Sequence, residues 1–415
     1  MSVTRRIFLR NSALAVVGTA AVPSFLTRAA FGAVEASSSR PKRLVILFQR
    51  GAADGLNIVV PHHEAAYYAM RPTINIPKNQ VLDLDGFFGL HPAMASFQPL
   101  GQQKHLAIVH AAGSPDPTRS HFDAQDFMES GTPGVKATED GWLNRTVHTM
   151  PAGADQSAFR AISLGPSLPR ILSGVEPAVA LNNIRDFDVG GGNPKAAPMA
   201  NTFESMYDQS VDSVLHGTGK ETFDAVKMLK TAAPSKYTPS AGANYPKGRF
   251  GDSLKQLAQL IKANLGVQVA FADIGGWDHH VNEGSTQGQI ANVLGEFSQS
   301  ISALWTDLGD LGEDTMIVTM SEFGRTAREN GNRGTDHGHA NVMFVLGGPV
   351  KGGKVYGKWP GLDQSQLYEG RDLAVTTDFR TVLSEGVARH LGNKNLTAVF
   401  PGFEIRPEQY LKLLG

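Results

Sequence analysis

Leu44 to Phe48 reads LVILF, an apolar run with no polar position in it. A strand with one wet face alternates polar and apolar residues, so an unbroken run is buried on both faces. That is the condition of a parallel strand covered by helices on each side. Further strand-like stretches follow: HLAIVHAAG at His105–Gly113, FRAISLG around Ala161, VQVAFADIGG, DTMIVTMSEFG and ANVMFVLGG. Helical stretches fall between or after them, at Phe203–Lys230, Gly251–Leu265, Ile290–Leu311 and Thr376–Leu391. SHFDAQDFMES is another helix, with Ser120 as its N-cap and Phe122, Phe127 and Met128 as its apolar face. The alternation predicts an α/β fold: a doubly wound, mostly parallel sheet with helices on both faces. Such sheets hold ligands in the loops at the C-terminal ends of their strands.

At 415 residues the chain suits one large α/β domain with insertions, or two domains. A formal net charge of −1 gives no basic surplus for nucleic acid or a membrane surface. With no cysteine, disulfides, thiolate metal sites and a cysteine nucleophile are excluded. The N-terminus carries more information. Arg5 and Arg6 precede Ile7, Phe8 and Leu9, a weakly apolar run covers Ala13–Val22, and small residues gather around Ala29–Ala33. This is the anatomy of a twin-arginine export signal. Its apolar run is shorter than the ~20 residues a membrane span needs. The expectation is a leader over residues 1–33, read by the twin-arginine translocase, and a mature domain over 40–415. The mature protein would be periplasmic or secreted, with no stable membrane span after processing. Asn182–Asn201 and Thr231–Gly248, rich in Gly, Asn and Pro, mark an insertion over 182–248.

Four loop segments carry the chemistry: GAADG, GGWDHH, SEFGR and TDHGHA. Three follow buried strands and the fourth precedes one. They offer Asp54, Asp278, His279, His280, Glu322, Asp336, His337 and His339. Oxygen and imidazole donors of this kind suit zinc, manganese or a similar divalent ion. One catalytic zinc takes about three protein ligands, so this many donors fits one or two ions with some residues in supporting roles. Asp336 is a candidate for orienting an imidazole as well as for binding metal. Taken singly, each residue also has a plainer reading, as a turn residue, a cap or a solvated loop.

The stretches QRGAADGLN, SHFDAQDFMESG, GGWDHH, SEFGRTARENGNRGTDHGHA and VYGKWPGL resemble a family of twin-arginine-exported bacterial proteins of unknown function (DUF1501-like). That family is distantly similar to the alkaline phosphatase and sulfatase superfamily, and the resemblance covers almost the whole mature chain. It implies an alkaline-phosphatase-like α/β domain with a metal site. By motif order Asp54 is similar to the superfamily's first metal ligand, Asp278 and His280 to its Asp-His contribution, and His337 or His339 to the last ligand. Glu322 stands where the superfamily often has an Asp-His pair, which is a departure. On this reading Asp54→Asn lowers metal occupancy and leaves the fold intact.

For a nucleophile the reading favours Ser120, at a helix start where backbone N–H groups and the dipole stabilise an anion. Thr118 is its substitute, and His121 is a further ligand or a general acid. Arg50 and Arg325 are candidate clamps for an anionic group, since the guanidinium fork matches phosphate or sulfate oxygens. A cap for Ser120 and a structural salt bridge for each arginine are the alternatives. The Ser-x-Pro-x-Arg signature of serine-type sulfatases is absent, because SPDPTR has one residue too many between Ser114 and Pro117. The resulting expectation is a metal-dependent hydrolase of phosphate or sulfate esters, or of related small anionic substrates. The alternative is an exported, non-catalytic binding or envelope protein that retains the fold.

Overall fold

The computed structural model describes residues 40–150, 157, 159–184 and 237–415, together with the backbone of two short strands, Arg6–Arg10 and Ala13–Val17. Apart from those two strands, the expected leader lies outside the described residues. So do most of the expected insertion and the expected helix at Phe203–Lys230.

Six strands carry the architecture: β1 Arg43–Gln49, β2 Leu106–Gly113, β3 Ala161–Leu164, β4 Val269–Ile274, β5 Thr315–Ser321 and β6 Asn341–Gly347. Across the sheet they run in the order β2, β6, β5, β1, β4, β3. β1 is parallel to β4 and β5, and β4 is parallel to β3. Of these six only β6 is reversed, antiparallel to both β5 and β2. The sheet is mixed and mostly parallel, as the apolar runs predicted.

Helices α1 (His121–Ser130), α2 (Trp142–Thr149), α3 (Arg249–Lys262), α4 (Gln289–Leu308) and α5 (Phe379–Glu385) cover its faces. Alternation along β1 divides its side chains between two cores. Val45 and Leu47 pack with Leu254 and Leu257 of α3 and Leu294 and Phe297 of α4. Leu44, Ile46 and Phe48 pack with Met128 of α1, Trp142 of α2, and Phe379 and Val382 of α5. Each such buried side chain contributes about 1.5–3 kcal/mol of transfer free energy, which is why the whole run had to be apolar.

Several local expectations are corrected. Phe127 and Met128 are buried, but Phe122 is 90% exposed and does not belong to the core face of α1. Thr376–Leu391 is not one helix. It divides into a short strand Thr377–Asp378, helix α5 capped by Asp378, and a π-helical turn Gly386–His390. The reading of the sequence missed α2, whose eight residues WLNRTVHT are too few to display a period.

Strand register explains the position of the loops. Ile274 of β4 and Ser321 of β5 both pair with Gln49 of β1, so three parallel strands end level. Asn341, the first residue of β6, pairs with Ala112 near the end of β2. Because β6 is reversed, its N-terminal end meets the C-terminal ends of its neighbours. The segment TDHGHA before β6 therefore reaches the same edge as the loops after β1, β4 and β5.

Candidate metal centre

At this edge three imidazoles meet one carboxylate. His121 is the first residue of α1, Asp278 and His280 lie in the loop after β4, and His337 precedes β6. One nitrogen each of His121 and His337 and an oxygen of Asp278 fall within 4.8 Å of one another. Asp278 Oδ1 is 3.6 Å from His121 Nε2, 3.3 Å from His337 Nε2 and 3.0 Å from His280 Nε2. His337 Nε2 is itself 3.0 Å from His121 Nε2 and 2.9 Å from His280 Nε2.

The far nitrogens show which atoms carry protons. His121 Nδ1 faces Glu322 Oε1 at 2.8 Å, His280 Nδ1 faces Asp336 Oδ1 at 3.1 Å, and His337 Nδ1 faces the Arg119 carbonyl at 2.9 Å. Carboxylates and carbonyls only accept, so each Nδ1 must carry the hydrogen. In the neutral rings, all three Nε2 atoms then present lone pairs toward one another and toward an anionic oxygen. Asp278 Oδ1 has a donor in Arg325 Nη2 at 2.6 Å, but the three Nε2 atoms face one another and that oxygen with no hydrogen among them, an arrangement that a cation resolves. Imidazoles fixed through Nδ1–H to carboxylates or carbonyls are the usual support of metal-binding histidines.

Electrostatics support the same reading. Burial pushes the Asp278 carboxyl up, but the Arg325 guanidinium hydrogen-bonded to it overrides this and holds it at about 2. Glu322 pushes the His121 pKa up through its hydrogen bond, against burial. Burial lowers the His337 pKa, helped by the nearby charges of His121 and Arg325. Burial would raise the Glu322 and Asp336 carboxyls, yet hydrogen bonds led by His121 and His280 respectively keep both below the usual range.

The local backbone makes this convergence sterically feasible. Gly51 has φ +121°, and a Cβ there would lie 2.9 Å from the Asp278 backbone nitrogen. A Cβ on Gly338 would lie 2.3 Å from the Arg325 carbonyl carbon. This is why a glycine separates the histidines of TDHGHA: the segment bridges against Arg325 at closest approach.

The sequence matches the family described as "Protein of unknown function (DUF1501)" over residues 41–400. The chain belongs to the DUF1501 family. No protein with a curated description matches it. Among solved structures it is similar to the PsFucS1 sulfatase from Pseudoalteromonas sp., at 13% identity and TM-score 0.39, covering 90% of this chain and 72% of that one. It is similar to an alkaline phosphatase superfamily protein from Vibrio parahaemolyticus, at 9% identity and TM-score 0.33, covering 80% and 70%. It is also similar to the alkaline phosphatase of the Antarctic bacterium TAB5, at 10% identity and TM-score 0.29, covering 75% and 93%.

In this DUF1501 chain the other expected site residues lie around the cluster or away from it. Asp54 does not reach it. Its carboxylate is buried in an ion pair with Arg71, through Arg71 Nη1 and, at 2.9 Å, Nη2. Glu322 and Asp336 stand behind the imidazoles of His121 and His280. Glu322 Oε1 also accepts from the Gly51 backbone N–H and from Gln125 Nε2, at 2.9 and 2.8 Å. His339 turns away, with Nε2 3.1 Å from the Ser114 carbonyl and its ring 4.3 Å from that of Tyr368.

Neither expected arginine clamp is free. Arg325 is wholly buried and donates to the carbonyls of Ala52, Gly51, Thr335 and Trp277 and to Asp278 Oδ1. It staples together the loops after β1 and β4. Arg50 donates to Asp273, Gln125 and Glu129 at 2.6, 2.9 and 2.8 Å. Ser120 is half-buried, and its Oγ accepts from the Asp123 N–H at 3.5 Å, so it is the N-cap. Thr118 Oγ1 accepts from the Ser120 backbone at 3.2 Å.

The reading of the sequence missed Arg71, Gln125 and Arg371. Arg71 and Gln125 act through a buried ion pair and a hydrogen-bonded carboxylate that no local motif reveals. Arg371 Nη2 donates to the His337 carbonyl at 2.5 Å from 34 positions away.

Proposed function

We propose that the protein is a metal-dependent hydrolase of phosphate or sulfate esters, or of related small anionic substrates, working at His121, Asp278, His280 and His337. What carries the reading is the convergence of three Nε2 lone pairs on Asp278 Oδ1, with every Nδ1 hydrogen already taken. Imidazole and carboxylate donors suit zinc or manganese, and we take zinc as the first choice, in one or two ions. A divalent ion held there would supply Lewis-acid polarisation of the oxygens on an ester's phosphorus or sulfur.

The chain's own groups do the rest. Glu322, Asp336 and the Arg119 carbonyl hold the three rings in one tautomer. Arg325 keeps Asp278 ionised and in place. Ser120, next to the ligand His121, is the candidate nucleophile, since a cap bond of 3.5 Å is weak enough to release its hydroxyl. The leader with Arg5 and Arg6 supports export to the periplasm or beyond by the twin-arginine translocase. Among the described residues no helix is long and apolar enough to cross a membrane.

The test is elemental analysis of the purified protein, followed by assays against aryl phosphate mono- and diesters and aryl sulfates with zinc or manganese. The expected result is bound metal and turnover that Asp278→Asn abolishes. Ser120→Ala with metal retained then separates a serine nucleophile, where turnover is lost, from attack by water, where it persists. A protein without metal would sink the reading. One observation favours a non-catalytic binding protein instead: Arg50 and Arg325 are both spent on protein groups. Metal bound without turnover of any ester would support that alternative.

A further inference from the structure

We infer that Arg371 binds the anionic group of the substrate, as the residue that sets specificity for an oxyanion beside the His337 end of the cluster. The inference rests on the hydrolase reading and names the missing clamp. Four arginines approach this edge, and their donors differ. Arg325 and Arg50 are consumed as described. Arg119 is also tied down, with Nε and Nη2 on Asp372 Oδ2 at 3.1 and 2.7 Å and Nη2 on Glu369 Oε2 at 2.7 Å. Arg371 makes one side-chain hydrogen bond, from Nη2 to the His337 carbonyl. Its Nε is 3.6 Å from Asp372 Oδ1, beyond hydrogen-bond reach, and 41% of the side chain is exposed. A guanidinium has five N–H groups, so most of this one remains available to a tetrahedral oxyanion.

Its position is built. Tyr368 N donates to the Asp372 carbonyl at 2.8 Å, and Arg371 N and Asp372 N both donate to the Tyr368 carbonyl at 3.0 Å, which closes a tight turn. Ala327 N donates to the Arg371 carbonyl at 3.2 Å. Both histidines of the HGH segment grip this turn: the His337 carbonyl holds the Arg371 guanidinium, and the His339 ring packs on Tyr368. So His339, which the cluster does not use, places the arginine. The acidic groups nearby offset its charge only in part: Asp372 Oδ1 forms a long ion pair with its Nε at 3.6 Å, while Asp372 Oδ2 and Glu369 are held by Arg119 and Asp336 by His280. A fork of this kind suits a group with at least two terminal oxygens, such as a phosphate or sulfate ester.

The experiment titrates inorganic phosphate, and separately sulfate, into the full-length zinc-loaded protein by calorimetry. Arg371→Ala should weaken binding about 10- to 100-fold, with zinc content unchanged. Arg371→Lys, which keeps the charge and a donor for the His337 carbonyl but not the fork, should fall between. Unchanged phosphate affinity in Arg371→Ala, or a parent protein that binds neither anion, overturns the inference. If Arg371→Ala loses zinc, undiminished affinity in Arg371→Lys overturns it instead. A parent that binds phosphate through Arg371 but turns over no ester removes the hydrolase reading and leaves this one standing. Ester turnover with an unchanged KM in Arg371→Ala removes this one alone.

Discussion

Asp54 and Arg71 are seventeen positions apart and form a fully buried pair, with the buried Glu283 carboxyl interacting with Asp54. Burial drives the Glu283 carboxyl well above its ordinary value, reinforced by the Asp54 charge. Asp54→Asn removes the countercharge of Arg71 and should lower stability by about 3 kcal/mol, the low end for breaking a buried pair because Glu283 is able to ionise in its place. Metal content should not change. Urea unfolding and elemental analysis check both halves, and this outcome is the reverse of what the motif order implied. Within the cluster, His337→Ala should reduce zinc affinity by more than ~100-fold. Asp336→Asn, which only loosens His280, should reduce it by about 10-fold. Competition with a chromogenic chelator measures both. Zinc affinity should also rise with pH through the raised pKa of His121, because below it a proton occupies the nitrogen that the ion needs.

Elements place these residues more firmly than propensity does. The reversed strand β6 brings His337 to the edge, and Gly338 lets its segment lie against Arg325. Gly338→Ala puts a methyl 2.3 Å from a backbone carbon, where no flexible side chain can yield. We expect a loss of about 1–3 kcal/mol and a clear fall in zinc occupancy, with far-UV circular dichroism unchanged. Normal zinc content in that variant would mean the bridge does not set the position of His337. Helix α1 contributes twice in its first half: Ser120 caps its start beside His121, and one turn on, Gln125 links Arg50 to Glu322. Phe122, 90% exposed on the same helix, packs on no core, so Phe122→Ala should change stability by less than ~0.5 kcal/mol.

The whole molecule carries a pH dependence of its own. His110 donates through Nε2 to the Val59 carbonyl and accepts at Nδ1 from the Ala111 N–H, at 2.9 Å each, so it must be neutral. Burial lowers its pKa to about 4, and burial does the same to His390, to about 4, beside the Arg43 carbonyl. In the unfolded chain both titrate near 6.5. Between those values the unfolded state binds more protons, so stability falls as pH drops from about 6.5 to 4 and is fully present above that window. The combined loss by the bottom of that window is on the order of 7 kcal/mol. Urea unfolding at pH 7.5 and 5, in a His337→Ala background so that metal release plays no part, should show this decline. Equal stability at the two values would contradict it.

Much of this was legible in the chain. Unbroken apolar runs such as LVILF required strands covered on both faces, and with them a layered α/β sheet whose strand ends gather at one edge. The segments GGWDHH and TDHGHA supplied Asp278, His280 and His337 as candidates, because loops at such strand ends share one edge, and these three side chains do lie together there. Assignment of roles waited for three dimensions. Which carboxylate meets the cluster and which meets a buried arginine depends on partners far away in sequence: Arg71 for Asp54, His121 for Glu322, Tyr368 for His339. Desolvation and hydrogen-bond geometry made those choices, and both are properties of the packed molecule that no stretch of residues carries by itself.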